Sequence, residues 1–508
     1  MRLLSRLHRW LGVIFCLLLT MWFGTGFVMM YVPFPALAET ARLAAAPPLR
    51  PGAVSVAPAA AVEGLPVVRL RLTQTLGQPR YLATLIDTGV RSIAADGGPA
   101  PALLDAATAA RIAAAFAQGP VRAVSDRFDY DQWVVHQRFD AARPFYRVDL
   151  DDGFGTELYV SARLGQVLQR TTRFERGWNY VGAVAHWIYP TILRKDHAAW
   201  DTTVWWLALG ALAATLTGYG LGVLRWTAQR RSRRRGASSS MSPFRGWLRW
   251  HHVVGLGGGL FALTWLFSGW LSMDHGRLFP LDQPPARREV LFRGSDLGTA
   301  FSGLHARDLA PLAAARELEF FVVAGQGYIL QRAPDGVGSL FPVVDGRIQA
   351  AIAAVPDALL LHAVQAAYAP VRVLGIDPID PHDPYAHTRS DPLPASARRV
   401  RLADAGATWV HVDARSGRIL SQMDTGRRLY RWLFSGLHGF DVPLLNGAGV
   451  LRQALMLAAL AAGLILGVSA VILAVRRVGR ACSRPAMRAE GGRPQGRERK
   501  TRIYLPEQ

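Results

Sequence analysis

Four long apolar stretches stand out along the chain, at about Leu11–Val32, Thr203–Leu224, Val253–Met273 and Val450–Val475. The first three contain no Asp, Glu, Lys or Arg, and the fourth contains only Arg452, close to its start. Each is long enough for the about 20 helical residues that cross a bilayer core. Basic residues precede the first stretch, as in a signal peptide, but the stretch is too long and no small-residue cleavage motif follows at once. The pattern therefore predicts four transmembrane helices, the first of them uncleaved.

Between the first and second stretches, and again between the third and fourth, the pattern changes to short alternating runs that are typical of strands. Asp105 is expected to cap an Ala-rich helix that reaches about Phe116, and the Ala- and Pro-rich segment 34–66 is expected to be a linker. Strands are predicted at Val67–Leu72, Tyr81–Leu85, Trp133–Arg138, Phe145–Leu150, Glu157–Val160 and Gln166–Leu168.

Two constant intervals relate the halves of the chain. An interval of 243 residues (the shorter interval) relates six residues in or just before the first apolar stretch to six in or just before the third. The pairs are Arg6 and Arg249, His8 and His251, Gly12 and Gly255, Trp22 and Trp265, Thr25 and Ser268, and Gly26 and Gly269. At an interval of 252 residues (the longer interval), Asp105 corresponds to Asp357 and the run 160–168 to 412–420. We interpret this as an internal duplication, in which each half is a span, an external α+β segment and a second span.

The predicted organisation is a membrane α+β protein with four transmembrane helices as a pseudo-twofold duplicated pair and two external α+β domains. The predicted boundaries are 1–33 for the N-terminus and first span, 34–199 for the first external domain, 200–226 for the second span, 227–246 for a loop, 247–274 for the third span, 275–447 for the second external domain, 448–476 for the fourth span and 477–508 for a tail.

The net charge of +21 is concentrated in three short segments. Residues 1–10, 225–249 and 476–508 hold twenty-one basic residues against three acidic ones, so they contain eighteen of the twenty-one net charges. This is the positive-inside pattern of a bacterial inner-membrane protein. It predicts that both termini and the short loop are cytoplasmic and that the two long segments lie outside, and it argues against a nucleic-acid partner.

Three motifs are similar to those of a known family. The hairpin V-D-A-R-S-G-R-I-L at 412–420 resembles the PepSY domain, and L-H-R-W-L-G at 7–12 and F-S-G-W-L-S-M at 267–273 resemble the PepSY-associated transmembrane family. The resemblance covers nearly the whole chain except the linker and the tail. It implies two periplasmic PepSY-like domains. Some members are inner-membrane reductases that release iron from siderophores, with haem b held by membrane-proximal histidines.

The duplication sets four of the thirteen histidines apart. His8 and His251 lie at the cytoplasmic mouth of spans one and three, whereas His186 and His438 lie outside, upstream of spans two and four. Haem ligation by two histidines in a helical bundle needs such facing pairs, so we expect two haem b groups. His252 is an alternative to His251, but about 100° around a helix separates them and both cannot face the same iron. The alternative is that all five of these histidines only stabilise the fold.

The predicted function is an inner-membrane haem b oxidoreductase that passes electrons outward, with ferric siderophore iron as the expected acceptor. Arg431, together with Arg427 and Arg428, either holds a haem propionate or is solvated surface. No G-x-G-x-x-G follows a strand, so the electron donor is expected to be another molecule, a quinol or a cytoplasmic reductase. The main alternative is a non-catalytic PepSY protein that regulates or binds a periplasmic partner. A transport subunit ranks lowest, because no apolar stretch carries a charged residue away from its ends.

Overall fold

The protein has four long apolar helices, as the sequence predicts. The computed structural model describes residues 1–86, 89–99, 102–236, 240, 242–312, 314–386 and 392–483. The helices are Arg2–Met29 (span 1), His197–Arg234 (span 2), Gly246–Leu271 (span 3) and Gly449–Ser483 (span 4). All four are long and apolar enough to cross a membrane, so the chain is a membrane protein.

The helices extend beyond the apolar runs that predicted them. Span 2 continues to Arg234, through part of the segment predicted as a loop at 227–246. Span 4 continues to Ser483, and the rest of the predicted tail lies outside the described residues. Charged residues at these ends can remain helical because the backbone hydrogen bonds are made within the helix, whatever the side chains contact. Hydropathy therefore indicates where the bilayer core is crossed and not where a helix ends.

The chain folds as two compact units. Unit 1 contains residues 1–23, 213–263 and 461–508, and unit 2 contains residues 24–212 and 264–460. Within the described part of unit 1 all long elements are span segments, and small residues let them approach closely. A side chain at Gly467 would lie 3.0 Å from the Cα atom of Thr20, and one at Gly463 would overlap the Phe23 ring. Spans 1 and 4 therefore touch backbone to backbone.

Unit 2 contains all fifteen described strands. The strands are β1 Val67–Thr75, β2 Gln78–Leu85, β3 Val90–Ala94, β4 Val121–Val124, β5 Phe145–Leu150, β6 Glu157–Ser161, β7 Val167–Thr171, β8 Glu317–Val323, β9 Gln326–Arg332, β10 Gly338–Val344, β11 Arg347–Ile348, β12 Val373–Pro378, β13 Ala397–Leu402, β14 Trp409–Asp413 and β15 Arg418–Met423. They form antiparallel sheets in the orders β11-β10-β9-β8-β1-β2-β3, β4-β5-β6-β7 and β12-β13-β14-β15.

The seven-stranded sheet joins the two long segments between the spans, which the sequence did not predict. β1 from the first segment pairs with β8 from the second, with Leu70 opposite Phe320. Glu319 of β8 is fully buried and forms ion pairs with Arg69 of β1 and with Arg332 and Arg418. Burial alone would raise the pKa of Glu319, but these three arginines hold it well below the ordinary value of 4.5. The segments are thus joined by a ladder and a buried charge network.

Two local predictions were wrong. The segment 34–66 is not a free linker, because Leu49, Val54 and Val62 are buried in the core beside the seven-stranded sheet. Trp133–Arg138 is not a strand. Its residues 133–135 are all buried, without the alternation of a half-buried strand, and a 3₁₀ helix begins at Gln137.

The shorter helices pack against or connect the sheets. Asp105 accepts a hydrogen bond from the backbone N–H of Thr108 and caps Ala106–Ala117, which confirms that prediction. The other α-helices are Glu39–Ala45, Pro58–Ala61, Arg173–Asn179, Thr191–Arg194, Ala286–Arg293, Leu297–Ala300, Asp357–Tyr368, Thr425–Arg431, Leu437–Gly439 and Pro443–Asn446, with 3₁₀ turns at Pro51–Ala53, Gln137–Ala142 and Ala306–Leu312 and π turns at Tyr180–Val184 and Trp432–Gly436.

Candidate functional site

His8 is held against span 2 inside unit 1. Its Nδ1 lies 3.1 Å from the carbonyl oxygen of Ala214. A carbonyl can only accept, so the His8 Nδ1 carries the proton and the lone pair is on Nε2. Gly218, one turn further along span 2, permits this approach, because a Cβ atom there would lie 2.8 Å from the His8 Nδ1. Span 2 thus fixes both the tautomer and the position of the ring.

His251 is held in the same way by span 4. Its Nδ1 lies 2.9 Å from the Oγ of Ser469, whose hydroxyl donates to the carbonyl of Leu466. Since the Ser469 proton is already used, the serine oxygen accepts from the Nδ1–H of His251, and the lone pair is again on Nε2. Histidines that bind metals almost always donate their second ring N–H to such a partner.

The rings of His8 and His251 lie together, with centroids 6.3 Å apart and planes 28° from parallel. A metal–imidazole bond is about 2 Å long and the ring centre lies ~1 Å behind the bonding nitrogen, so two axial imidazoles on one iron have centres roughly 6 Å apart. The centroid spacing matches that of two imidazoles on one iron, and each ring keeps the lone pair of its Nε2. No group of three or more His, Cys, Asp or Glu residues placed to hold a metal occurs in the described ranges, but a haem needs only two such ligands.

His252 differs from its neighbour because both of its ring nitrogens are engaged. Its Nε2 lies 3.1 Å from the carbonyl oxygen of Gly222, so this nitrogen carries the proton. Its Nδ1 lies 3.0 Å from the Oγ of Ser242, which therefore donates to it. Neither nitrogen keeps a lone pair for a metal, and the ring is buried. This arrangement is that of a packing residue that joins span 3 to span 2.

The other two histidines, His186 and His438, lie in unit 2, and each contacts a hydroxyl of a span. The Nδ1 of His186 lies 2.8 Å from the Oγ1 of Thr25, and the Nδ1 of His438 lies 3.1 Å from the Oγ of Ser268. Ser268 donates its own proton to the carbonyl of Trp265, so it accepts from His438. Thr25 and Ser268 correspond at the shorter interval, and the two histidines correspond at the longer interval. The same polar contact is therefore built twice.

An irregular turn of the π type precedes each of these two histidines. Tyr180–Val184, which is kinked at Gly182, ends two residues before His186, and Trp432–Gly436 ends two residues before His438. The two turns correspond at the longer interval, as do the preceding helices Arg173–Asn179 and Thr425–Arg431. Isolated π turns are rare and are frequent at functional sites. Each turn rotates the following residues, and here the side chain that follows contacts a span hydroxyl.

Arg431 is buried beside the second π turn. Its Nη1 donates to the carbonyl of Asp441 at 2.7 Å, its Nη2 lies 3.2 Å from an Asp441 carboxylate oxygen, and its guanidinium lies 4.3 Å from the centre of the Trp432 ring. Asp441 thus already balances the charge that a propionate would use. Arg427 pairs with Asp282, and Arg428 donates to backbone carbonyls. Arg427 and Arg428 thus hold local structure, whereas the Nε and Nη2 atoms of buried Arg431 make no hydrogen bond within the described part of the chain.

Sequence reasoning identified the histidines but missed the residues that position them. Thr217 donates to the carbonyl of Ala214, and Ser469 to that of Leu466. Thr217 and Ser469 correspond at the longer interval, as do Ala214 and Leu466. Extending that interval from the strand-rich segments into spans 2 and 4 would have found them.

The chain matches the model of the family described as the PepSY-associated TM region over residues 5–315. No curated protein matches it. The matched segment is more than half of the chain and contains His8, His186 and His251. The chain therefore belongs to the PepSY-associated TM region family.

Proposed function

We propose that the protein is an inner-membrane haem b oxidoreductase that delivers electrons to the outer face of the membrane, to ferric iron in a siderophore. The observation that carries this proposal is the His8–His251 pair, with its 6.3 Å spacing and both Nδ1 atoms hydrogen-bonded. Structural histidines such as His252 use both nitrogens, whereas this pair keeps one lone pair on each ring.

His8 and His251 would hold one haem, which would supply one-electron chemistry between ferric and ferrous iron. The chain would fix the tautomer and the orientation of both imidazole rings and would bury them. The carbonyl of Ala214 and the hydroxyl oxygen of Ser469 accept hydrogen bonds from the Nδ1–H groups, which makes the two histidines more basic and holds their rings in place. Gly218 keeps the space into which the His8 ring fits.

We extend the proposal to His186 and His438 as ligands of a second haem. It is supported by the matched hydroxyl contacts of Thr25 and Ser268 and by the two π turns. The matched intervals also support a duplication, in which repeated contacts descend from one ancestral span pair. Arg431 would act through Asp441 to hold the second π turn.

The charge distribution supports the orientation in this proposal. Both termini and the loop between spans 2 and 3 would be cytoplasmic, and the sheets would be periplasmic. Reporters fused after residue 120 or residue 350 should be active only as periplasmic fusions. A cytoplasmic signal from either position would reject this orientation.

The cofactor is tested by purification in mild detergent, with haem supplied during growth. We expect non-covalent haem b with a low-spin spectrum and sharp bands on reduction. His8→Ala and His251→Ala should each abolish most of the signal of one haem, and the double variant should lose little more, because the two ligands act as one unit. His186→Ala and His438→Ala should behave in the same way for the other haem.

His411 provides a control for these substitutions. Its Nδ1 pairs with Ser421 and its Nε2 accepts from Arg399, and burial, with Arg399 adding to the effect, lowers its pKa to about 4. His411→Ala should leave the haem spectrum unchanged. Folded protein that stays colourless would reject the oxidoreductase proposal and favour a regulatory PepSY protein with a periplasmic partner.

A further inference from the structure

An open groove lies in unit 1 between the first turns of span 3 and the inner part of span 4. Its volume is about 460 Å³, within the roughly 300–1,000 Å³ of small-molecule sites. The wall is apolar except for one hydroxyl and two indole N–H groups. The lining residues are Gly246, Trp247, Trp250, Val254, Ile465 and Ser469.

Ser469 connects this groove to the histidine pair. The same serine that lines the groove has its Oγ 2.9 Å from the Nδ1 of His251. An occupant that touches Ser469 is therefore separated from a proposed iron ligand by one small side chain. Binding in the groove and the position of the His251 ring are thus linked through a single hydroxyl.

The two tryptophans define what the groove can recognise. Trp247 and Trp250 are one helical turn apart, and 40% and 63% of their surfaces are exposed. Within the described part of the chain, neither indole N–H has a hydrogen-bond acceptor. Indoles offer flat faces for stacking and an N–H donor at the edge. The matching occupant is a planar, apolar ring with carbonyl oxygens that enters from the bilayer.

The fold itself does not require these indoles. At the shorter interval, Trp247 corresponds to Leu4 and Trp250 to Leu7 in span 1. The first half thus builds the equivalent helix start with leucines, while the contacts of His8 and His251 are otherwise parallel. A feature present in only one of two matched helices points to a task beyond folding.

We propose that this groove binds a membrane quinone and that the corresponding quinol is the electron donor, an inference that rests on the proposed function. Oxidation of a quinol to its quinone releases two electrons and two protons. His8 and His251 would hold the haem that takes these electrons one at a time and passes them on, so that one quinol reduces two ferric ions, and water at the helix ends would take the two protons. A planar quinone ring can stack on the indole faces, and its two carbonyl oxygens can accept hydrogen bonds from the indole N–H groups, whereas a lipid tail can do neither.

The test measures binding of decylubiquinone to the full-length protein in detergent by equilibrium dialysis, with the free quinone determined from its ultraviolet absorption. Trp247→Leu combined with Trp250→Leu installs residues that the first half already carries, so folding should persist. We expect this double variant to bind at least about tenfold more weakly, the loss of roughly 1.4 kcal/mol. Trp10→Leu is the control, since Trp10 is similarly exposed but lies on span 1 near Arg477, and it should bind as the wild type does.

Two results would overturn the inference. Equal affinity in the double variant would remove the groove as the site. Equal competition by decylbenzene, which has the ring and tail without carbonyls, would make the occupant a lipid chain. Haem content measured in the same preparations separates the two proposals: haem-loaded protein that does not bind decylubiquinone rejects only the quinone, and protein that binds it without haem rejects only the oxidoreductase.

Discussion

Gly218→Ala should displace the His8 ring although residue 8 itself is unchanged. The new Cβ atom would lie 2.8 Å from the Nδ1 and 3.2 Å from the Nε2 of His8, whereas non-bonded heavy atoms prefer about 3.5–4.0 Å. The ring would have to retreat by roughly 1 Å, and its 3.1 Å hydrogen bond to Ala214 would then exceed the roughly 3.5 Å limit of a real one. Metal–ligand distances in protein sites stay within about 0.2 Å of their usual values, so a displacement of this size should break the bond to iron.

The size of the effect follows from the cost of overpacking, about 1–3 kcal/mol. If that cost is relieved by moving His8, haem retention should fall by roughly 5- to 150-fold. The assay is the haem-to-protein ratio of purified protein, together with the reduced-minus-oxidised spectrum, and Gly218→Ala should resemble His8→Ala.

Gly220→Ala is the matched control in the same helix. A Cβ atom at Gly220 meets nothing within 4 Å, so this change should keep the wild-type spectrum and gain helix propensity of up to about 1 kcal/mol. The reasoning fails if folded Gly218→Ala keeps wild-type haem, or if both alanine variants lose it equally, because the helix and not His8 would then be responsible.

Three further predictions concern the neighbouring contacts. His252→Ala should preserve the haem spectrum but lower the Tm, because it leaves buried hydrogen-bonding groups unpaired at about 1–3 kcal/mol; loss of haem would contradict the packing role. Ser268→Ala should weaken haem binding at His438 by about 10–100-fold, whereas Ser268→Thr, the residue type that span 1 carries at the matched position, should rescue it. Glu319 has a depressed pKa, so its stabilisation should be present above about pH 4.5 and be lost as the pH falls below it. Thermal unfolding from pH 7 to pH 3 checks this. Glu319→Gln, which leaves Arg69 and Arg418 without an ion pair, should cost about 3–5 kcal/mol at pH 7; an unchanged Tm would refute it.

The sequence by itself determined the elements whose cause is local. Hydropathy located the four spans because a bilayer core demands about 20 apolar residues in succession. Asp105 predicted the start of its helix because a capping carboxylate bonds to a nearby backbone N–H in the first turn. The longer interval singled out His186 and His438, and the shorter interval singled out His8 and His251.

Only the tertiary structure decided which nitrogen of each histidine is available. His251 and His252 are neighbours with the same side chain, and they differ because Ser469 lies on span 4 while Gly222 lies on span 2. Both partners are far away along the chain, and no local pattern encodes them. The pairing of β1 with β8 is likewise a contact between distant segments, set by burial of Glu319 among arginines from three strands. Long-range packing assigns these roles, because a hydrogen bond depends on where the chain returns and not on which residue comes next.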